Sequence, residues 1–192
     1  MIDYSNKFCA QCGGATHQII PEGDHVKRDV CKKCEHIHYV NPKVIVGSLP
    51  VHGDKVLMCK RDIQPRLGYW TLPAGFMEAN ETTEQGAARE TWEESEAKLK
   101  NMELYALFDL PYISQLYVMY RSELANDHFA PTNESSEVRL FSESEIPWDD
   151  IAFPIIVQVL RDYFNDRKTG VFKPQHHVWP QRPISAELKP VR

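Results

Sequence analysis

The sequence lacks a long apolar run and an excess of basic residues, and each absence excludes a class of protein. No apolar stretch approaches the roughly 20 residues that a membrane-spanning helix needs. The first residues, Met1 to Ser5, do not open a secretory leader. We therefore expect a cytoplasmic protein with no membrane partner. Since 22 Lys and Arg face 27 Asp and Glu, the formal net charge of -5 disfavours general binding to nucleic acid and favours a small anionic substrate.

The number of cysteines is odd, so they cannot all pair in disulfides. Of the five, four form two Cys-x-x-Cys pairs and Cys59 is left over. A reducing compartment favours such pairs as metal ligands, and their spacing is typical of a zinc ribbon with one structural Zn²⁺. The four predicted ligands are Cys9, Cys12, Cys31 and Cys34. We expect His36 and His38 to be exposed loop residues rather than ligands, and Cys59 to be a buried thiol.

The hydrophobic pattern predicts three regions: a ribbon over residues 1–40, a main α+β domain over 41–168, and an extended or disordered arm over 169–192. Residues 44–51 and the segment ending at Cys59 read as a hairpin, with further strands near 69–72, 102–108, 115–120 and 138–141. Residues 83–95 and 151–164 have helical character. The prolines of the arm favour an irregular chain.

The chemistry-bearing motif lies between residues 75 and 97. Glycine, arginine and glutamate occupy fixed positions there: Gly75, Glu81, Arg89, Glu90, Glu93 and Glu94. A helix brings Glu90, Glu93 and Glu94 to one face because they stand at i, i+3 and i+4. Clustered hard carboxylates suit Mg²⁺ or Mn²⁺, which take their remaining ligands from substrate phosphates. A solvated acidic helix face is the alternative interpretation.

This spacing resembles the signature of the Nudix hydrolases. The resemblance implies an α/β/α sandwich with a mixed sheet, and cleavage of a phosphoanhydride bond with Glu90, Glu93 and Glu94 as catalytic metal ligands. It also implies that the Ala74 backbone carbonyl faces the metal and that Arg89 orients the glutamates. Two positions depart from the family pattern: Thr91 replaces a bulky aliphatic residue, and Glu96 replaces a glycine in a place that favours left-handed backbone.

The family often uses one more carboxylate from a later loop. Here Glu137, in the run Glu137-Val138-Arg139, fits that role as a metal ligand or general base, and Glu134 is the competitor.

A zinc ribbon before a Nudix domain is similar to the arrangement of the NADH pyrophosphatases and of an FAD and ADP-ribose pyrophosphatase subgroup. The chain looks like the latter, because it has Asp109 to Tyr117 where the NADH enzymes have a proline-rich stretch. The resemblance implies hydrolysis of FAD to FMN and AMP, or of ADP-ribose to AMP and ribose 5-phosphate. NADH or NAD is the alternative substrate, and relatives tend to be homodimers.

The candidate substrate-binding residues are Arg61, Arg66, Tyr112, Gln115 and Tyr117. Both arginines are candidates for binding the phosphates, with surface charge as the alternative. The tyrosines, together with Tyr69 and Trp70, are candidates for stacking on a ring, with core packing as the alternative.

A second class of function is a nucleic-acid-binding protein or capped-RNA processing factor, because zinc ribbons also bind nucleic acid. Residues 1–40 disfavour it with balanced charges: Lys7, Lys27, Arg28, Lys32 and Lys33 against Asp3, Glu22, Asp24, Asp29 and Glu35.

Overall fold

The computed structural model describes residues 5–181, which divide into two compact units between Pro42 and Lys43. The first unit is a three-stranded antiparallel sheet in the order β1-β2-β3. Its strands are β1 (Thr16–Ile19), β2 (Arg28–Cys31) and β3 (Ile37–His38). Among its described residues, the buried apolar side chains are those of Cys9, Val30 and Cys31. A unit with so small an apolar core needs another source of stability.

The second unit is built on a mixed sheet of eight strands. They are β4 (Lys43–His52), β5 (Lys55–Arg61), β6 (Trp70–Thr71), β7 (Ala74–Phe76), β8 (Leu99–Leu110), β9 (Gln115–Leu124), β10 (Ser135–Phe141) and β11 (Gln175–Val178). The main order is β10-β5-β4-β9-β8-β11, with β6 paired to β5 and β7 to β4. The pairs β4/β9 and β8/β11 are parallel and the others are antiparallel.

Two helices cover opposite faces of this sheet, which confirms the predicted sandwich. They are α1 (Thr83–Ser95) and α2 (Pro154–Arg167). Alternate residues of a strand point to opposite faces. Accordingly Val46 packs in the cluster that contains Ala87 of α1, whereas Leu49 packs with the apolar residues of α2.

Helix α1 begins and ends at defined caps. Thr82 and Gln85 form a capping box: the Thr82 hydroxyl accepts from the Gln85 N–H, and the Gln85 side chain accepts from the Thr82 N–H. At the other end Glu96 is left-handed, with a φ of 54°, and its N–H donates to the Trp92 carbonyl. This confirms the conformation predicted where the family pattern has glycine, at a cost of about 1 kcal/mol.

The second helix starts later than the helical pattern suggested. Ile151 and Phe153 have extended backbone, Ile151 bridges to Trp70, and Pro154 supplies the first helical position. Neither this helix nor any other among residues 5–181 is long and apolar enough to cross a membrane.

Part of the predicted C-terminal arm is ordered as strand β11, which pairs with β8 from Ala106 to Asp109. The His177 ring stacks on Phe108 at 4.6 Å, and Trp179 meets the same ring edge-on. Within the described part of the arm, residues 175–178 therefore form a strand; residues 182–192 lie outside the described range.

Candidate active site

A cleft of about 670 Å³ opens where α1, the β7 strand and the start of α2 meet. It is lined on one side by acidic residues of α1 and on the other by apolar and aromatic side chains. The acidic side comprises Glu90, Glu93 and Glu94, with Glu78 and Glu134 from neighbouring loops. The apolar side includes Ile45, Ile63, Phe76, Ile113, Tyr117, Phe153 and Ile156.

The predicted glutamates share one face of α1 but not one environment. Glu94 is 4% exposed and Glu90 is 9% exposed, whereas Glu93 is exposed. Burial, reinforced by the charge of Glu90, raises the pKa of Glu94 to about 8. Burial also raises the pKa of Glu90. The Glu94 Oε2 atom is buried and has no hydrogen-bond partner among residues 5–181, so these residues leave the carboxyl group incompletely satisfied.

Arg89 connects the acidic residues by four charge-assisted hydrogen bonds. Its Nε and Nη2 donate to the two carboxylate oxygens of Glu81 at 3.0 and 2.8 Å. Its Nη1 donates to Glu90 at 2.8 Å and to Glu93 at 2.9 Å. This contact holds the pKa of Glu81 down to about 2. Bidentate pairing of this kind fixes geometry as well as charge.

The strand β7 brings its backbone against the glutamates. Gly75 lies so close to Glu90 that an added Cβ would be 2.2 Å from Oε2. Ala74 also lines the cleft, and its backbone N–H partly opposes the rise in the Glu94 pKa by hydrogen bonding to that side chain. The structure thus brings Ala74 and the glutamates together.

The later carboxylate is placed differently from the prediction. Glu137 lies within β10 opposite Lys60, and its carboxylate is 3.8 Å from the Lys60 Nζ and does not line the cleft. Glu134 lines the cleft and its charge raises the pKa values of Glu90 and Glu94. The strand register explains this placement: Ser135 pairs with Arg61 at the cleft end of β5, so the residue just before β10 reaches the site.

The two candidate arginines lie in different environments. Arg61 is buried, lines the cleft, donates from Nε to the Pro65 carbonyl at 2.8 Å and lies 5.2 Å from the Phe153 ring. Its charge lowers the pKa of Glu94 against the larger effect of burial. Arg66 is exposed, lies over Tyr69 at 5.5 Å and does not line the cleft, so its placement corresponds to the surface-charge alternative.

The remaining candidate residues also divide between cleft and core. Gln115 and Tyr117 line the cleft, and burial raises the pKa of Tyr117. Tyr112 packs against the main core without lining the cleft. Trp70 is a core residue in edge-to-face contact with Phe141 at 4.7 Å. Of the proposed stacking residues, the structure therefore places Tyr117 at the site.

Sequence reasoning missed Phe76 and Phe153 as cleft residues. Phe76 lines the cleft and is 54% exposed. Its position directly after Gly75 was the available signal. Phe153 carried no such signal, because its approach to the cleft depends on how the segment before α2 packs on β6.

The four paired cysteines converge in the first unit. Their sulfur atoms all lie within 4.8 Å of one another, a spacing at which the four side chains could hold one metal ion. Backbone N–H groups of Cys34 and Lys33 point at the Cys31 sulfur and lower its pKa. Neither His36 nor His38 belongs to the cluster; their rings contact each other instead.

Comparison with known proteins identifies the family. Residues 41–163 match the NUDIX domain and residues 7–40 match the Nudix N-terminal zinc ribbon. The chain therefore belongs to the Nudix hydrolase family, whose members depend on a divalent metal.

Individual relatives place the chain within that family. It is 33% identical over 147 residues to the NAD-capped RNA hydrolase NudC of Haemophilus influenzae (strain PittGG), covering 74% of this chain and 49% of that protein. For the NudC of Vibrio atlanticus (strain LGP32) the identity is 28% over 150 residues, covering 74% and 52%. The chain spans about half the length of these curated relatives.

Solved structures confirm the fold. A crystal structure of a NUDIX hydrolase from Nitrosomonas europaea has 53% identity and a TM-score of 0.85, and the match covers 91% of this chain and 100% of that one. The NUDIX domain of Shewanella oneidensis NrtR, complexed with ADP ribose, has 19% identity and a TM-score of 0.58, with 69% and 91% covered. The second likeness concerns the fold alone.

Proposed function

We propose that this chain hydrolyses the diphosphate bond of a dinucleotide or nucleotide sugar with Mg²⁺ or Mn²⁺ at the α1 glutamates. The observation that carries the proposal is the buried Glu94: its Oε2 has no hydrogen-bond partner among residues 5–181, and the charges of Glu90 and Glu134 raise its pKa. A cation bound by these carboxylates would offset that repulsion. Their oxygen ligands fit a hard divalent ion.

The residues that would hold this ion are Glu90, Glu93 and Glu94, with Glu134 and the Ala74 backbone. A divalent cation there would supply positive charge to the phosphate oxygens and lower the pKa of water. The protein's own part is geometric: Arg89 fixes Glu90 and Glu93, and Gly75 lets the backbone approach them. Glu134 takes the role first proposed for Glu137, as a further metal ligand or general base.

The composition of the cleft favours a diphosphate with uncharged ring systems at its ends. Among the described residues that line it, the cations are Arg61 and Arg89, and Arg89 is already engaged by three glutamates. Arg61 is thus the side chain available to a second phosphate. Phe76, Tyr117 and Phe153 offer flat apolar surface for a base or flavin.

We infer a substrate that contains an ADP half, which FAD, ADP-ribose and NADH share. The ribbon arrangement and the segment from Asp109 to Tyr117 support FAD or ADP-ribose. The NAD-capped RNA hydrolase names of the curated relatives support NADH or NAD equally. The cleft volume of about 670 Å³ lies in the range of small-ligand sites and does not by itself choose among them.

A substrate panel tests this function. Purified protein with Mg²⁺ is incubated with FAD, NADH, ADP-ribose, diadenosine polyphosphates and nucleoside triphosphates, and kcat/KM values are compared with product identities. We expect AMP from the preferred substrate. A protein that acts on none of the dinucleotide diphosphates and ADP-ribose, or a Glu94→Gln variant with full activity, contradicts the proposal.

The role of Glu134 is tested against Glu137 as its matched control. Glu134→Gln removes a carboxylate at the cleft and should lower kcat by about 10²-fold or more. Glu137→Gln removes the carboxylate that contacts Lys60 and does not line the cleft, and it should leave kcat close to the wild-type value. The reverse pattern would restore the original assignment to Glu137.

A second candidate is action on capped RNA, because the curated relatives are named as NAD-capped RNA hydrolases. The even charge balance of the ribbon argues against tight RNA binding. Filter binding at low salt with capped and uncapped RNA decides this point, and tight, salt-sensitive binding would favour the RNA substrate.

We further propose that the four cysteines bind one structural Zn²⁺, that the protein acts in the cytoplasm, and that it forms a homodimer. Four thiols within 4.8 Å fit a closed tetrahedral site, and the small apolar core of the ribbon makes such an ion a needed source of stability. Elemental analysis, cell fractionation and sedimentation test these three statements separately.

A further inference from the structure

Ser48 of β4 contacts both halves of the candidate metal site. It is fully buried, and its backbone N–H donates to the Pro73 carbonyl at 3.0 Å, directly before Ala74. The Ser48 hydroxyl lies 2.6 Å from the Thr91 hydroxyl on α1. One residue therefore links the chain that presents Ala74 to the helix that presents the glutamates.

The hydrogen bond between these two hydroxyls has a defined direction. Thr91 Oγ1 donates to the Ala87 carbonyl at 2.7 Å, one helical turn earlier. Since a hydroxyl group has one hydrogen, Thr91 must accept from Ser48, and Ser48 is the donor. Both side chains are 0% exposed, so water cannot replace either partner.

Hydrogen bonds also join α1 to the sheet between Thr83 and Tyr120 and between Arg89 and the Phe76 carbonyl, but neither is fully buried as the Ser48–Thr91 bond is. Besides Glu90 and Glu94, the buried residues of α1 are small, and these are Gly86, Ala87, Thr91 and Ser95. Small apolar contacts fill space but tolerate sliding and rotation, whereas a short hydrogen bond in a dry layer does not, because displacement leaves a buried hydroxyl unpaired. Thr91 directly follows Glu90 and precedes Glu94 by one turn.

We propose that Ser48 and Thr91 form a positioning pair that sets the placement of the α1 glutamates relative to the Ala74 backbone, and thereby the affinity of the divalent-metal site. The inference rests on the proposed function, since it concerns the metal that this function requires. It also gives a role to Thr91, which stands where the family pattern has a bulky aliphatic residue. At this position a directional hydrogen bond replaces apolar packing.

The test measures Mn²⁺ binding directly, by electron paramagnetic resonance of the free ion, alongside thermal stability and steady-state kinetics. Thr91→Val preserves shape and removes the acceptor, and Ser48→Ala removes the donor. Thr91→Ser retains the hydroxyl and is the conservative rescue. Ser122→Ala is the matched control, because it deletes another buried serine hydroxyl, whose hydrogen bond goes to the Leu49 carbonyl on β4.

We expect Thr91→Val and Ser48→Ala each to raise the Mn²⁺ dissociation constant roughly three- to tenfold, somewhat less than deletion of a ligand's own hydrogen-bond partner. Kcat at saturating metal should fall while KM for the nucleotide stays constant, and Thr91→Ser should restore metal affinity. Ser122→Ala should lower the Tm alone.

Two failures are distinguishable. If Thr91→Val and Ser48→Ala lower the Tm as Ser122→Ala does and leave Mn²⁺ affinity unchanged, the pair is structural only and the inference is overturned. If the wild-type protein itself neither binds Mn²⁺ nor hydrolyses any nucleotide of the panel, the proposed function fails first. Ser48→Ala keeps the question answerable if Thr91→Val does not fold, because it leaves α1 unaltered.

Discussion

Replacing Gly75 by alanine should lower the turnover of the proposed enzyme about 10²-fold with little change in its substrate contacts. The added Cβ would lie 2.2 Å from Glu90 Oε2 and 2.4 Å from Glu90 Cδ, where ordinary contacts begin near 3.4 Å. The Glu90 carboxylate must therefore move by about 1 Å, and a shift of that size in a reacting group costs about 10²-fold in rate. Glu90 cannot move alone, because Arg89 holds it at 2.8 Å and also holds Glu93.

The assay compares kcat and Mg²⁺ dependence of Gly75→Ala with those of wild type on the preferred substrate. Gly53→Ala is the control, since Gly53 has a φ of +61° and open space around its Cβ position. That variant should lose about 1 kcal/mol of unfolding free energy and no activity. A Gly75→Ala protein with wild-type kcat at ordinary Mg²⁺ would refute the close-approach argument.

Three further predictions concern other parts of the molecule. Without Mg²⁺, burial raises the pKa of Glu94 from 4.5 to about 8, so the folded state keeps a proton that the unfolded chain releases. The free energy of unfolding therefore falls as pH rises through this range. Above about pH 8, the Glu94→Gln variant should have a higher Tm than wild type by calorimetry, while it loses turnover. Glu96→Gly should relieve about 1 kcal/mol of left-handed strain in urea unfolding, whereas Glu96→Ala should not. Cys31→Ser, or zinc chelation, should make the ribbon sensitive to limited proteolysis, whereas the unit from Lys43 onward should stay resistant. Mass spectrometry of the fragments measures this.

The comparison of Glu134 with Glu137 shows where local patterns stop being informative. Both are acidic, both stand near the start of a predicted strand, and they are three residues apart. Which one reaches the cleft depends on the register of β10 against β5, since Ser135 pairs with Arg61 and Glu137 with Lys60. Register is a property of two strands distant in sequence, and it could not be deduced from either one alone.

The same holds for the residues that line the apolar side of the cleft. Trp70 and Tyr117 are both aromatic and both lie on strands, yet one packs in the core and the other lines the cleft. Phe153 reaches the cleft because the segment before α2 pairs with β6. The Ser48 hydroxyl meets Thr91 across 43 residues of sequence, so Thr91 by itself showed only a departure from pattern.

By itself, the sequence determined the features that depend on short-range spacing. The α1 glutamates share a face because of the helical period, the two Cys-x-x-Cys pairs define a four-thiol cluster, and Glu96 ends the helix in a left-handed conformation. Only the tertiary structure decided burial, register and contact. It made Glu94 a buried carboxyl group with a raised pKa, replaced Glu137 by Glu134 at the cleft, and separated Arg61 from Arg66. Burial and electrostatic coupling arise from groups that folding brings together from distant parts of the chain, and spacing along the chain does not encode them.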